Sequence, residues 1–177
     1  MINDNPNRTL TYSNPEVTIC NNKTNLGEIE CMNQVARTCK SDYLCWLADD
    51  DLINPDFISR IAKIAMNRNG ISVIYPLVIC GEDYPIWTPS YSPDNPTYTV
   101  MSGEEWIDFY VSGKMKSVIG VYGAISKNLF SQDLKLKKLG KGFSPYSDNL
   151  FALEISKFGP VALIEEPLVF HRTHSFS

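Results

Sequence analysis

Three consecutive carboxylates, Asp49, Asp50 and Asp51, follow directly on the apolar run Tyr43 to Ala48. Like charges 4 Å apart repel by about 4 kcal/mol at an effective dielectric of 20. A triplet placed at the end of a buried strand therefore needs a counter-charge or raised pKa values. A hard divalent cation, Mg²⁺ or Mn²⁺, supplies that charge and takes carboxylate oxygens together with substrate phosphates. In open α/β sheets ligands bind at the carboxyl ends of strands, where this triplet falls. The same residues also fit a solvated acidic turn in which Asp51 caps the next helix, and the triplet alone leaves both readings open. Further along, Asp148 follows Ser147 at a helix start, where a carboxylate compensates the helix dipole.

The elements that must carry these groups follow from hydrophobic spacing. Glu28 to Lys40 predicts a helix, with Ile29, Met32, Ala36 and Cys39 recurring on one side. Tyr43 to Ala48 suits a short buried strand. Asn54-Pro55 provide a cap and a first helical residue for a helix bearing Phe57, Ile58, Ile61, Ile64 and Ala65, closing near Asn69-Gly70. Ile71 to Tyr75 predicts another strand. Residues 82–100, with Pro85, Pro89, Pro93 and Pro96, read as a long irregular loop. Ser102 to Glu105 fits a capping box ahead of a short helix through Trp106, Phe109 and Tyr110. Val118 to Ile125 reads as a strand in which Gly120 and Gly123 permit close backbone packing. Ser126 caps a brief helix, Ser147 a last one through Lys157, and Val161 to Phe170 a closing strand. The alternation of strands and helices predicts an α/β layer fold over a single domain, residues 1–177.

Composition narrows the classes. Against 20 Asp+Glu stand 16 Lys+Arg, a net charge of −4 with a pI near 5.2, so the basic surplus of a nucleic-acid binder is lacking. The best apolar run, Ile71 to Cys80, falls well short of the roughly 18 residues a membrane span needs. The polar N-terminus has no apolar core of a secretory signal. Five cysteines without a CxxC pair, beside only two histidines, predict reduced thiols packed as small hydrophobes and a cytoplasmic location rather than a zinc site. Lys135, Lys137, Lys138 and Lys141 read as a solvated face, with phosphate or an anionic acceptor as the alternative. Trp87, Tyr91 and Trp106 fit either a hydrophobic core or platforms on which the apolar face of a ligand stacks.

Several motifs occur in a telling order. Asn25-Leu26-Gly27, then Asn33-Gln34-Val35-Ala36, then Leu47-Ala48-Asp49-Asp50-Asp51-Leu52 up to Pro55 resemble the family 2 glycosyltransferases. Pro145-Tyr146-Ser147-Asp148-Asn149 looks like that family's acidic helix start, and Ile164 to Ser175 is similar to its closing segment with Arg172 and His174. The resemblance implies a GT-A-like, Rossmann-like mixed sheet flanked by helices. It implies metal-dependent, inverting transfer of a sugar from a nucleotide-diphosphate sugar, a UDP-sugar favoured, to a hydroxyl of a glycan or glycolipid acceptor. Cell-surface polysaccharide synthesis is the example, with peripheral membrane association through the acceptor. By position it assigns Mn²⁺ or Mg²⁺ to Asp50 first, with Asp51 and His174. It sets Asp4, Asn25, Gly27, Asp49 and Arg172 against the nucleotide sugar, Arg172 through its fork of donors. Asp148 becomes the base that removes the proton of the attacking hydroxyl. The family often carries an aspartate where this chain has Ala48, which leaves the assignment within the triplet open.

The resemblance also implies a strand, helix and second strand ahead of these motifs. Ile2-Asn3-Asp4-Asn5 looks like the end of that second strand, so the expectation is a domain partial at its N-terminus, as a fragment or completed by another chain. The alternative function is a catalytically inactive remnant or interaction module. A nucleotidyltransferase, which also places acidic residues at strand ends, is a third reading.

Overall fold

The computed structural model describes residues 1–85, 87, 97–113, 118–137 and 147–174. Its principal sheet is organised around one long C-terminal strand. Going along the chain, the strands are β1 (Ile2–Asn3), β2 (Cys20–Asn21), β3 (Tyr43–Leu44), β4 (Leu52–Ile53), β5 (Val73–Gly81), β6 (Tyr98–Met101), β7 (Ala124–Ser126) and β8 (Val161–Arg172). The helices are α1 (Glu28–Thr38), α2 (Phe57–Asn67), α3 (Gly103–Val111) and α4 (Ser147–Ile155). β1 and β2 form a separate parallel pair. The other six described strands run in the order β3-β7-β5-β8-β4, with β6 also on β8. β8 pairs in parallel with β5 along its length. On its other side it is antiparallel to β6 over Val161–Ile164 and then to β4 over Val169–Phe170. The sheet is therefore mixed, as the family resemblance implies.

The first half of β5 and most of β8 are buried, which is why they read as apolar runs rather than alternating strands. Tyr75 on β5 stacks on Trp106 of α3, centroids 5.0 Å apart and 8° from parallel. The Trp106 indole donates to the Ala152 carbonyl of α4 at 3.0 Å, so one aromatic residue locks two helices to the sheet. Trp46, just past β3, meets Phe130 and Phe151 edge-on and donates to the Met32 carbonyl of α1 at 3.1 Å.

The capping box is present as read: Ser102 accepts from the Glu105 N–H, and the Glu105 carboxylate accepts from the Ser102 N–H. Other boundaries shift for identifiable reasons. α2 starts at Phe57, not Pro55, because the Asn54 side chain accepts from the Asp56 N–H at 2.8 Å and its carbonyl from the Phe57 N–H at 2.9 Å, closing a turn first. β3 is confined to Tyr43–Leu44, since Trp46 is buried by ring packing and not by the ladder. β5 runs on to Gly81. β7 begins only at Ala124, after a turn through Gly120–Gly123. The stretch 82–100 contains β6, whose Tyr98 and Thr99 find partners on β8 that local spacing does not reveal. Pro89, Tyr91, Pro93 and Pro96 lie outside the described residues, as do Lys138, Lys141 and residues 145–146.

Candidate functional site

The antiparallel β4–β8 pair brings the acidic triplet to the closing segment. Leu52 faces Phe170 and Ile53 faces Val169, so the chain enters β4 beside the place where β8 ends. Asp51 is buried here, its side chain fully covered. One oxygen accepts the Arg172 backbone N–H at 2.9 Å. The Tyr122 hydroxyl donates to the other. His171 Nδ1 lies 3.3 Å from the first oxygen and 3.4 Å from the second. Burial, then the bond to Asp51, pushes the Tyr122 phenol far above its ordinary range.

Asp50 faces a different partner, His174, whose Nε2 is 2.7 Å from its carboxylate. That bond is the main reason the Asp50 carboxyl lies below its usual range. Asp49 is exposed on the turn. The Arg172 guanidinium donates to the Tyr84 hydroxyl at 3.2 Å and lies over that ring, 5.2 Å from its centre. The sequence thus names Asp50, Asp51, Arg172 and His174 together, and the fold brings them together. It divides the carboxylates, with Asp51 bound into the protein and Asp50 toward the surface.

Asp4 and the segment Asn25 to Gly27 also meet. The Asp4 carboxylate accepts from the backbone N–H of Leu26 at 2.8 and 3.0 Å, of Gly27 at 2.7 Å, and from the Asn22 amide at 2.9 Å. These donors, Leu26 foremost, hold its carboxyl down to about 2. Gly27 has φ 80°, in the left-handed region that glycine adopts at little cost, and this sharp bend launches α1. Asn25 is exposed on the same loop.

α1 forms one wall of a cleft of about 950 Å³. Asp148 in the first turn of α4, Tyr122 and His171 line it as well. Two details fix this shape. A Cβ on Gly120 would collide with the Asp148 carbonyl, so only glycine lets that loop lie under α4. Tyr75, from the core, donates to the Gly120 carbonyl at 2.9 Å and holds the loop there. On the opposite side the buried Asn33 amide clasps the Leu136 backbone, donating to its carbonyl at 3.0 Å and accepting from its N–H at 2.9 Å. The negative charge of Asp148 is felt by Tyr110, whose phenol burial and that charge push up to about 12.

Trp106 is fully buried, so it is core and not a sugar platform; Trp87 is half-buried, and Tyr91 lies outside the described residues. Lys135 and Lys137 do line the cleft, each paired with a carboxylate, Asp133 at 3.2 Å and Glu154 at 2.6 Å. All five cysteines are free thiols. Among the described residues no helix is long and apolar enough to cross a membrane. Tyr122 and His171 were not singled out by sequence reasoning. Only the strand register, which brings position 171 level with position 51, could have drawn attention to the histidine.

Among the described residues no group of three or more His, Cys, Asp or Glu side chains is arranged around a common point for a metal. The Asp50–His174 pair offers one oxygen and one nitrogen donor. Two donors are fewer than a cation such as Mg²⁺ or Mn²⁺ needs, so further ligands would have to come from water or from a bound ligand.

Comparison with known proteins agrees with this architecture. The model of glycosyl transferase family 2 matches residues 6–132. An uncharacterized glycosyltransferase of Haemophilus influenzae is 29% identical over 168 residues, covering 93% of this chain and 53% of that protein. The crystal structure of S. aureus TarS 1–349 superposes with a TM-score of 0.63 at 11% identity, over 87% of this chain and 43% of the other. The mixed sheet flanked by helices is GT-A-like. The chain belongs to glycosyl transferase family 2. It spans about half the length of the curated relative it matches.

Proposed function

We propose that this chain carries the donor site and catalytic base of a metal-dependent, inverting glycosyltransferase that uses a nucleotide-diphosphate sugar, a UDP-sugar first. The observation that carries the reading is the cleft lined by Asp148, Tyr122 and His171, beside which Asp50 and His174 are paired. In this reading Asp50 and His174 would hold Mn²⁺ or Mg²⁺, which would supply charge stabilisation for a departing diphosphate. Asp49 and Arg172 face the nucleotide sugar, the guanidinium reaching phosphate by leaving the exposed Tyr84. Asp4 acts indirectly, by pinning the amides of Leu26 and Gly27 and so shaping the loop from Asn25 to Gly27 at the cleft edge. Asp51 orders the closing segment from within.

The Asp148 carboxylate takes the proton of an acceptor hydroxyl as that oxygen attacks the anomeric carbon. The carbon–oxygen bond to the diphosphate breaks on the opposite face, which inverts the centre. The acceptor is a glycan or glycolipid, with cell-surface polysaccharide synthesis as the example and membrane proximity through that acceptor. Five free thiols fit a reducing compartment such as the cytoplasm.

The test is calorimetric titration of UDP with and without Mn²⁺, followed by a donor screen. The expected result is manganese-dependent binding that Asp50→Ala abolishes. In Asp148→Asn binding should persist while turnover falls roughly 10²- to 10⁴-fold. A folded, monodisperse chain that binds neither UDP nor GDP nor dTDP would instead support the inactive interaction module.

A further inference from the structure

We infer that His171 is a sugar-contacting residue of the cleft, held in one tautomer and one orientation by buried Asp51. The inference rests on the donor-site reading above and adds a specificity-determining group to it. Asp51 is fully covered and is approached by the Tyr122 hydroxyl and the Arg172 N–H, both donors. A carboxylate so placed accepts, so His171 Nδ1, 3.3 Å away, carries the hydrogen that points at it. The ring itself is not buried with its anchor: its side chain is 39% exposed and lines the cleft that Asp148 also lines. With Nδ1 committed, Nε2 on the other edge of the ring is the polar atom left for an occupant. In the neutral ring it has a lone pair and no hydrogen. It therefore matches a group that donates, such as a sugar hydroxyl, and mismatches a phosphate oxygen, which only accepts. A carboxylate anchoring an imidazole in this way fixes a hydrogen-bond acceptor without the entropy loss of ordering it on binding.

The decisive variant is His171→Asn. Its side-chain amide takes the place of Nδ1 and keeps a donor on Asp51, while Nε2 is deleted. Wild type and variant are titrated, with Mn²⁺ present, with UDP, UDP-glucose and UDP-N-acetylglucosamine. The expected result is an unchanged melting temperature, UDP affinity within about twofold, and roughly tenfold weaker binding of whichever UDP-sugar the wild type accepts. Equal UDP-sugar affinity in the two proteins overturns the inference, and so does a matching loss for UDP alone, which would place Nε2 on the nucleotide. A wild-type chain that binds none of the three is titrated with GDP, dTDP and their glucose conjugates in the same way, and failure with all of them overturns the donor-site reading and this inference with it. A readout on the unaltered protein covers a variant that fails to fold. Nitrogen NMR of the His171 ring should show Nδ1 protonated and the Nε2 resonance shifting with the UDP-sugar but not with UDP. The opposite tautomer, or no such shift at saturation, overturns the proposal.

Discussion

Gly120 sets how the base of the cleft meets α4. A methyl group there would drive into the Asp148 carbonyl, so Gly120→Ala should destabilise the fold by about 1–3 kcal/mol in urea unfolding. It should also lower turnover more than an equally destabilising change far from the cleft, because it displaces Asp148. Asp4 gives a pH signature. Its native carboxyl lies at about 2 against an ordinary 3.8. The stability it adds is therefore present above pH 3.8 and is lost as pH falls through about 2. Asp4→Asn should be less stable than wild type at pH 7, and the gap should close in acid unfolding curves near pH 2. At this scale, residue type and motif order were enough to single out Asp50, Asp148, Arg172 and His174. They could not show that Asp51 is enclosed and Asp50 is not, since adjacent positions look alike until a strand pairing turns one of them inward.

Helices were more legible than strands. α1 and α3 announce themselves through periodicity and a capping box, and Ser102→Ala should cost about 1 kcal/mol by thermal or urea denaturation. β6 and the far half of β5 are missed because their pairing partner is β8, sixty or more residues away in the chain. A further contact invisible from spacing joins α2 to β8: Arg60 Nε lies 3.3 Å from Glu166 Oε2, with both side chains almost wholly buried. Removing one partner of such a pair strands a charge in the interior. Arg60→Leu should therefore cost about 3–5 kcal/mol by leaving the buried Glu166 carboxylate without this cation, whereas an apolar replacement of both residues should cost less, as equilibrium unfolding of the two variants will reveal.

For the molecule as a whole, the α/β class was legible because strand and helix alternation constrains layers strongly, and the GT-A-like mixed sheet was legible only through the resemblance of its motifs. The sheet order was not, since it depends on which distant strand β8 chooses at each point. That strand also contains an irregularity with a further meaning. Pro76 faces Ile164 while Val78 faces Val169, so two steps along β5 correspond to five along β8. The surplus of three is an odd number, and in a strand odd counts exchange the two faces. The irregular stretch thus acts as a phase shifter between the buried first half of β8 and the residues it delivers to the cleft. One extra residue inserted beside exposed Glu165 would set the downstream side chains out of phase, exchanging His171 with its neighbours, whereas two would restore the alternation. Ligand binding that survives a two-residue insertion better than a one-residue insertion would be the mark of such counting.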